Sequence, residues 1–172
     1  MLINDLRNDP LLADHLSETC CENDVCVDFD PAIPRGDYLI VKVDSFYNAN
    51  VPYPDTPKSP DCLIVQRCSA GHFHVHVVEL KNVKSRSFLN SNDIWEKFHT
   101  CLTDFMSNRF RSHFYNENHD LKLRLYLVAG SVKDAQAKSV KLDFLLTMRP
   151  HQFAGKFYGI APENPNPLVR PC

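Results

Sequence analysis

Two apolar runs separated by a short turn constrain this chain more than anything else in it. Cys62-Leu63-Ile64-Val65 lies in the first, and Val75, Val77 and Val78 lie in the second, between His72 and Lys81. Ser69-Ala70-Gly71 stands between them, which predicts an antiparallel hairpin of strands over 62–67 and 72–81. A hairpin centred near Ala70 pairs residues whose numbers sum to about 140. Asp61 then stands opposite Glu79, with Cβ atoms about 4.5–5.5 Å apart. Glu79 and Lys81 are two apart on one strand and point to the same face. Two carboxylates and an ammonium are therefore expected together at one end of the hairpin. A slip of one residue would turn Asp61 to the opposite face, so the register decides whether the group exists.

Two carboxylates at that distance repel, and one would ordinarily take up a proton. A divalent cation removes the conflict. Mg²⁺ binds through one or two carboxylates, keeps several waters and accepts phosphate oxygens. Lys81 could orient a water or place a point charge beside a phosphate. Metal ion, activated water and positive charge together make the chemistry of phosphodiester hydrolysis.

The rest of the chain supplies a frame. The apolar positions between Leu11 and Cys21 predict a helix that begins after Asp9-Pro10. Tyr38–Phe46 alternates like a strand, and Asn48–Ser59, with Pro52, Pro54 and Pro57, reads as a loop. Ile94, Phe98, Cys101, Leu102, Phe105 and Met106 make an amphipathic helix over 93–109, with Asp93 as cap and Glu96 completing a capping box. Leu121, Leu123, Leu125 and Leu127 alternate with Lys122, Arg124 and Tyr126, a strand with one wet face. A short polar helix over 131–138 and a further element over 141–147 follow, and Asn164–Cys172 reads as a surface tail. A helix that joins two strands acts as a crossover, so the strands on either side of it should be parallel. The expected order is helix, three strands, helix, strand, around a mixed sheet.

At these residues the chain resembles the PD-(D/E)XK nuclease superfamily. Pro60-Asp61 looks like the first half of its motif and Glu79-Leu80-Lys81 like the second. Pro54-Asp55 is a second candidate for the first half, but Asp61 abuts the apolar strand and is preferred. The resemblance implies an α/β fold with a restriction-endonuclease-like mixed central sheet flanked by helices, an α-β-β-β-α-β core. It implies a single nuclease-like domain over 1–172, with its core at about 11–130 and a C-terminal extension over 131–172. It implies a Mg²⁺-dependent deoxyribonuclease in which Mn²⁺ can substitute. Asp61 and Glu79 would hold the metal and Lys81 would complete the catalytic set. An acid from the first helix would add a metal ligand, with Glu18 the first candidate and Glu22 the second. Lys84 and Arg86, just after the E-x-K strand, would grip DNA phosphates. A homodimer would allow both strands of a duplex to be cut. The alternative within the same fold is an inactive member that binds nucleic acid or a protein.

Composition narrows the field. The chain has 172 residues, which suits one domain. Its net charge of −2 excludes a protein that coats nucleic acid over its whole surface, though a local basic patch is compatible with it. Five glycines and no phosphate-binding loop speak against a nucleotide cofactor. No apolar run approaches a membrane span, and no signal-peptide core opens the chain. The seven cysteines are odd in number and read as reduced thiols of an intracellular, cytoplasmic protein. Cys20, Cys21 and Cys26 admit a third reading, a zinc-stabilised interaction domain. His72, His74 and His76 share the face opposite Glu79. A flat row on one strand does not close a metal tetrahedron, so they read as partly exposed sheet residues.

Overall fold

The computed structural model describes residues 2–81, 90–129, 148–163 and 166–172. The elements over 131–138 and 141–147, together with Lys84 and Arg86, lie outside the described residues.

The chain opens with α1 (Leu2–Arg7), which buries Leu2, Ile3 and Leu6 on one side. The helix expected over 11–21 does not form. The Asp9 carboxylate instead caps a turn by accepting from the Leu11 N–H at 2.9 Å, and a 3₁₀ turn at Ala13–His15 follows. The chain then extends as β1 (Leu16–Ser17) and β2 (Cys20–Glu22), and β2 turns back as β3 (Val25–Phe29). Asn23 and Asp24, both at positive φ, make that turn. The leucines at 11, 12 and 16 mimicked a helical stripe, but only Leu12 is deeply buried.

Strand β4 (Tyr38–Lys42) is shorter than expected, because the chain becomes helical as α2 (Val43–Asn50). Val43, Phe46 and Tyr47 are the buried residues of α2 and recur at helical, not alternating, spacing. The predicted hairpin is present as β5 (Cys62–Ser69) and β6 (His72–Lys81). Gly71 adopts a positive φ of 78° in its turn, and a Cβ there would stand 2.9 Å from the Asn118 carbonyl oxygen, so glycine is required twice over.

The amphipathic helix begins as α3 (Ser91–Thr100) and continues as a π-helix over Cys101–Arg109. Its cap is Asn90, whose side chain accepts from the N–H groups of Asn92 and Asp93, and not Asp93 as the sequence suggested. Glu96 pairs with Lys58 at 2.7 Å instead of closing a capping box. A short α4 (Arg111–Phe114) leads into β7 (Asp120–Ala129), and β8 (His151–Phe153), β9 (Lys156–Tyr158), β10 (Ile160–Glu163) and β11 (Leu168–Val169) complete the chain.

Among the described residues, six strands form a mixed central sheet in the order β1-β4-β5-β6-β7-β10. β4, β5 and β6 are an antiparallel meander, whereas β7 pairs parallel to β6 after the helical crossover. One face carries Val41, Leu63, Val65, Val75, Val77, Leu125 and Leu127 against the helices. The other carries Ile40, Ile64, Val78 and Leu80 against a small sheet ordered β11-β3-β2. Apolar residues on both faces explain why β5 reads as a continuous apolar run rather than an alternating one.

The tail is more than a surface appendage, since β11 pairs with β3 and buries Val169. Among the described residues, no helix is long and apolar enough to cross a membrane. The expectation of reduced thiols is overturned. Disulfides join Cys20 to Cys62, Cys21 to Cys26 and Cys68 to Cys172, while Cys101 is a buried free thiol. In the oxidised chain the same pairing leaves Cys20, Cys21 and Cys26 without a thiolate to offer zinc.

Candidate functional site

The register expected from the turn is the one observed. Cys62 stands opposite Val78 and Leu63 opposite Val77, so each pair sums to 140 and Asp61 reaches the level of Glu79. The Asp61 carboxylate crosses the hairpin and accepts a hydrogen bond from the Leu80 N–H at 2.6 Å. Glu79 follows Val77 on the helical face of the sheet and is fully buried, at 0% exposure. Such a glutamate requires positive partners, and among the described residues it has two. Lys81 Nζ lies 2.7 Å and Lys97 Nζ 2.6 Å from the same oxygen, Oε1.

Lys97 was missed in the sequence. It extends from α3, the crossover helix, beside the buried residues Ile94 and Phe98. The available signal was its position flanking an apolar stripe on the helix that follows the E-x-K strand, where a long side chain can reach back over the strand end. Glu18 does not reach the site. It is exposed and lies 3.6 Å from Arg35. Glu22, the second candidate, is near enough for its charge to act on Asp61.

The carboxyl of Asp61 is pushed up to about 7, first by burial, then by the charge of Glu79, with Glu22 adding to it and the Leu80 N–H and Lys97 opposing. Lys81 moves the other way from a typical buried amine. Burial disfavours its charge, but the hydrogen bond and charge of Glu79, aided by Asp61, hold the ammonium above the usual lysine range. These interactions favour the charged ammonium at Lys81.

The donor set suits a hard divalent ion. Glu79 Oε1 is held by two ammonium groups, whereas its buried Oε2 has no hydrogen-bond partner among the described residues. An orphaned carboxylate oxygen beside a second carboxyl group offers oxygen ligands of the kind Mg²⁺ or Mn²⁺ takes.

The histidine row lies on the opposite face, as expected, yet His76 is not partly exposed. Only 3% of its surface is accessible, and burial, then the charge of Arg124, lowers it to about 3. It lines a cavity of about 460 Å³ with His74, Gln66, Arg124, Tyr126 and Val169.

Comparison of the chain with protein-family models, curated proteins and solved structures finds no match.

Proposed function

We propose that this protein is a divalent-metal-dependent phosphodiesterase that cleaves DNA, on a restriction-endonuclease-like fold. The observation that carries the reading is the facing pair Asp61 and Glu79, with Glu79 Oε2 unpartnered among the described residues and Lys81 alongside. The centre of the sheet supports it: β4, β5 and β6 are antiparallel neighbours, and β7 joins β6 in parallel after a helical crossover, although β1, β2 and β3 come between α1 and β4 and α2 lies between β4 and β5. The acid precedes the second strand of the meander and the E-x-K ends the third.

Asp61 and Glu79 Oε2 would hold Mg²⁺, with Mn²⁺ an adequate substitute. The bound ion supplies Lewis acidity and charge at the scissile phosphate. Lys81 places its ammonium where charge develops on the phosphate oxygens. Lys97 keeps the Glu79 carboxylate turned so that Oε2 stays available. DNA is the substrate class, reached over the hairpin end, and Lys84 and Arg86 would add phosphate contacts. Cleavage of a duplex would call for a homodimer. A cytoplasmic setting goes with this substrate, whereas three disulfides suit an oxidising one. Thiol trapping in intact cells separates the two settings.

A second reading has its own observation. Glu79 with Lys81 and Lys97 is already a compact ion cluster, which is what an inactive, binding-only member of the fold would retain. The decisive experiment is cleavage of a labelled duplex with Mg²⁺ by wild type, Glu79→Gln and Asp61→Asn. Metal-dependent cutting lost in both variants supports the enzyme. Duplex binding without cutting by the wild type supports the second reading.

A further inference from the structure

We propose that Cys68, Cys172 and His74 form a reduction-gated binding site for a thiophilic divalent cation, zinc foremost. The site is separate from the carboxylate pair. It lies on the opposite face of the sheet, near the turn of the β5–β6 hairpin instead of its open end.

Three observations converge. One ligand atom from each of the three residues lies within 4.8 Å of the other two. His74 Nδ1 is 3.5 Å from Cys172 Sγ. The donor set, two sulfurs and an imidazole nitrogen, is the soft and borderline combination that selects zinc over magnesium.

The fold holds these donors in place without the disulfide. The β5–β6 ladder shifts between Arg67 and Ser69, which leaves Cys68 as the extra residue of a bulge. His74 is fixed within β6, opposite Gln66. Cys172 is carried by a docked strand. Asp28 N donates to the Pro167 carbonyl at 3.0 Å and Asp30 N to the Val169 carbonyl at 2.9 Å. Gln66 Nε2 donates to the Arg170 carbonyl at 2.9 Å, and Val169 is buried in the core. Cleaving the sulfur–sulfur bond therefore does not free the tail.

In the oxidised state both sulfurs are spent on each other. A dithiol reductant breaks the Cys68–Cys172 bond, giving it two electrons and two protons and becoming a disulfide itself. The two thiols then lose their protons to solvent as the cation binds, and His74 contributes a neutral nitrogen. Cys68 and His74 are partly buried and Cys172 is exposed, so the fourth position faces solvent and takes water. Under reducing conditions the cation would replace the disulfide as the cross-link between the docked tail and the sheet.

The test is a Co²⁺ and Zn²⁺ titration of the full chain, oxidised and after dithiol reduction. Thiolate-to-cobalt absorption and proton release are the readouts. The reduced chain should bind about one equivalent with release of about two protons, and the oxidised chain none. His74→Ala and Cys172→Ser should each weaken binding at least about 10-fold. The double variant Cys21→Ser/Cys26→Ser, which removes unrelated thiols, should bind like wild type. Binding by the oxidised chain, no uptake by the reduced chain, or affinity unchanged by His74→Ala would overturn the proposal.

Discussion

The Asp61 carboxylate accepts the Leu80 N–H at 2.6 Å, so the acid that opens one strand is tied to the backbone just beyond the glutamate it faces. This bond compensates only part of what burial and the Glu79 charge do to Asp61.

The first prediction is a pH dependence of stability. Asp61 binds its proton more tightly in the folded chain, at about 7 against an ordinary 3.8. Both states are protonated below the lower value, so Asp61 imposes no penalty there. As pH rises between the two values the unfolded chain ionises first, and stability falls. Urea melts of metal-free protein should lose a few kcal/mol across that window. Asp61→Asn keeps an oxygen for the Leu80 N–H and should flatten the slope. Mg²⁺ should stabilise the wild type more above pH 7 than near pH 5. An identical slope in the variant would refute the assignment.

Glu79→Gln should reduce DNA cleavage by at least about 100-fold, beyond the range seen for groups that only orient a metal ligand. Steady-state rates with saturating Mn²⁺ check whether the loss is one of metal affinity. Cleavage at the wild-type rate would remove Glu79 from the mechanism.

Among the described residues, Lys97→Met leaves the buried Glu79 with Lys81 as its remaining cation. Stranding a buried charge by removing its partner costs about 3–5 kcal/mol, so removing one of two partners should cost about 1–3 kcal/mol. The double variant with Lys81→Met should exceed the sum of the singles, because the second loss strands the charge. Denaturant melts of the three variants give the coupling directly. Strict additivity would mean that the two lysines do not share Glu79.

The Cys20–Cys62 disulfide closes a sequence separation of 42 and the Cys21–Cys26 disulfide one of 5. On the chain-entropy view, replacing the first pair by alanines should cost about 4 kcal/mol and the second about 2 kcal/mol. Equal losses in thermal melts would count against that view. Because Cys62 adjoins Asp61, only the first replacement should also weaken Mg²⁺-dependent cleavage.

The local pattern was enough for the hairpin, its register, the parallel partner β7 and the meeting of Asp61 with Glu79 and Lys81. Each depends on short-range chemistry: a turn glycine, a two-residue alternation, and a helix long enough to cross between parallel strands. In the first forty residues leucine spacing alone does not distinguish a helix from turns that bury single leucines, and Asp9 favours the turn. Within Tyr38–Phe46 alternation gives way to helical spacing at Val43, which ends the strand.

What tertiary structure alone decided is everything that depends on distant segments meeting. Lys97 reaches Glu79 from 18 residues away, Glu22 lies close enough to act on Asp61, and Cys172 returns to Cys68 across a separation of 104. Counting cysteines suggested thiols, because pairing is a matter of Cα proximity that no spacing rule contains. Periodicity fixes which way a side chain points, but only packing fixes what it meets there.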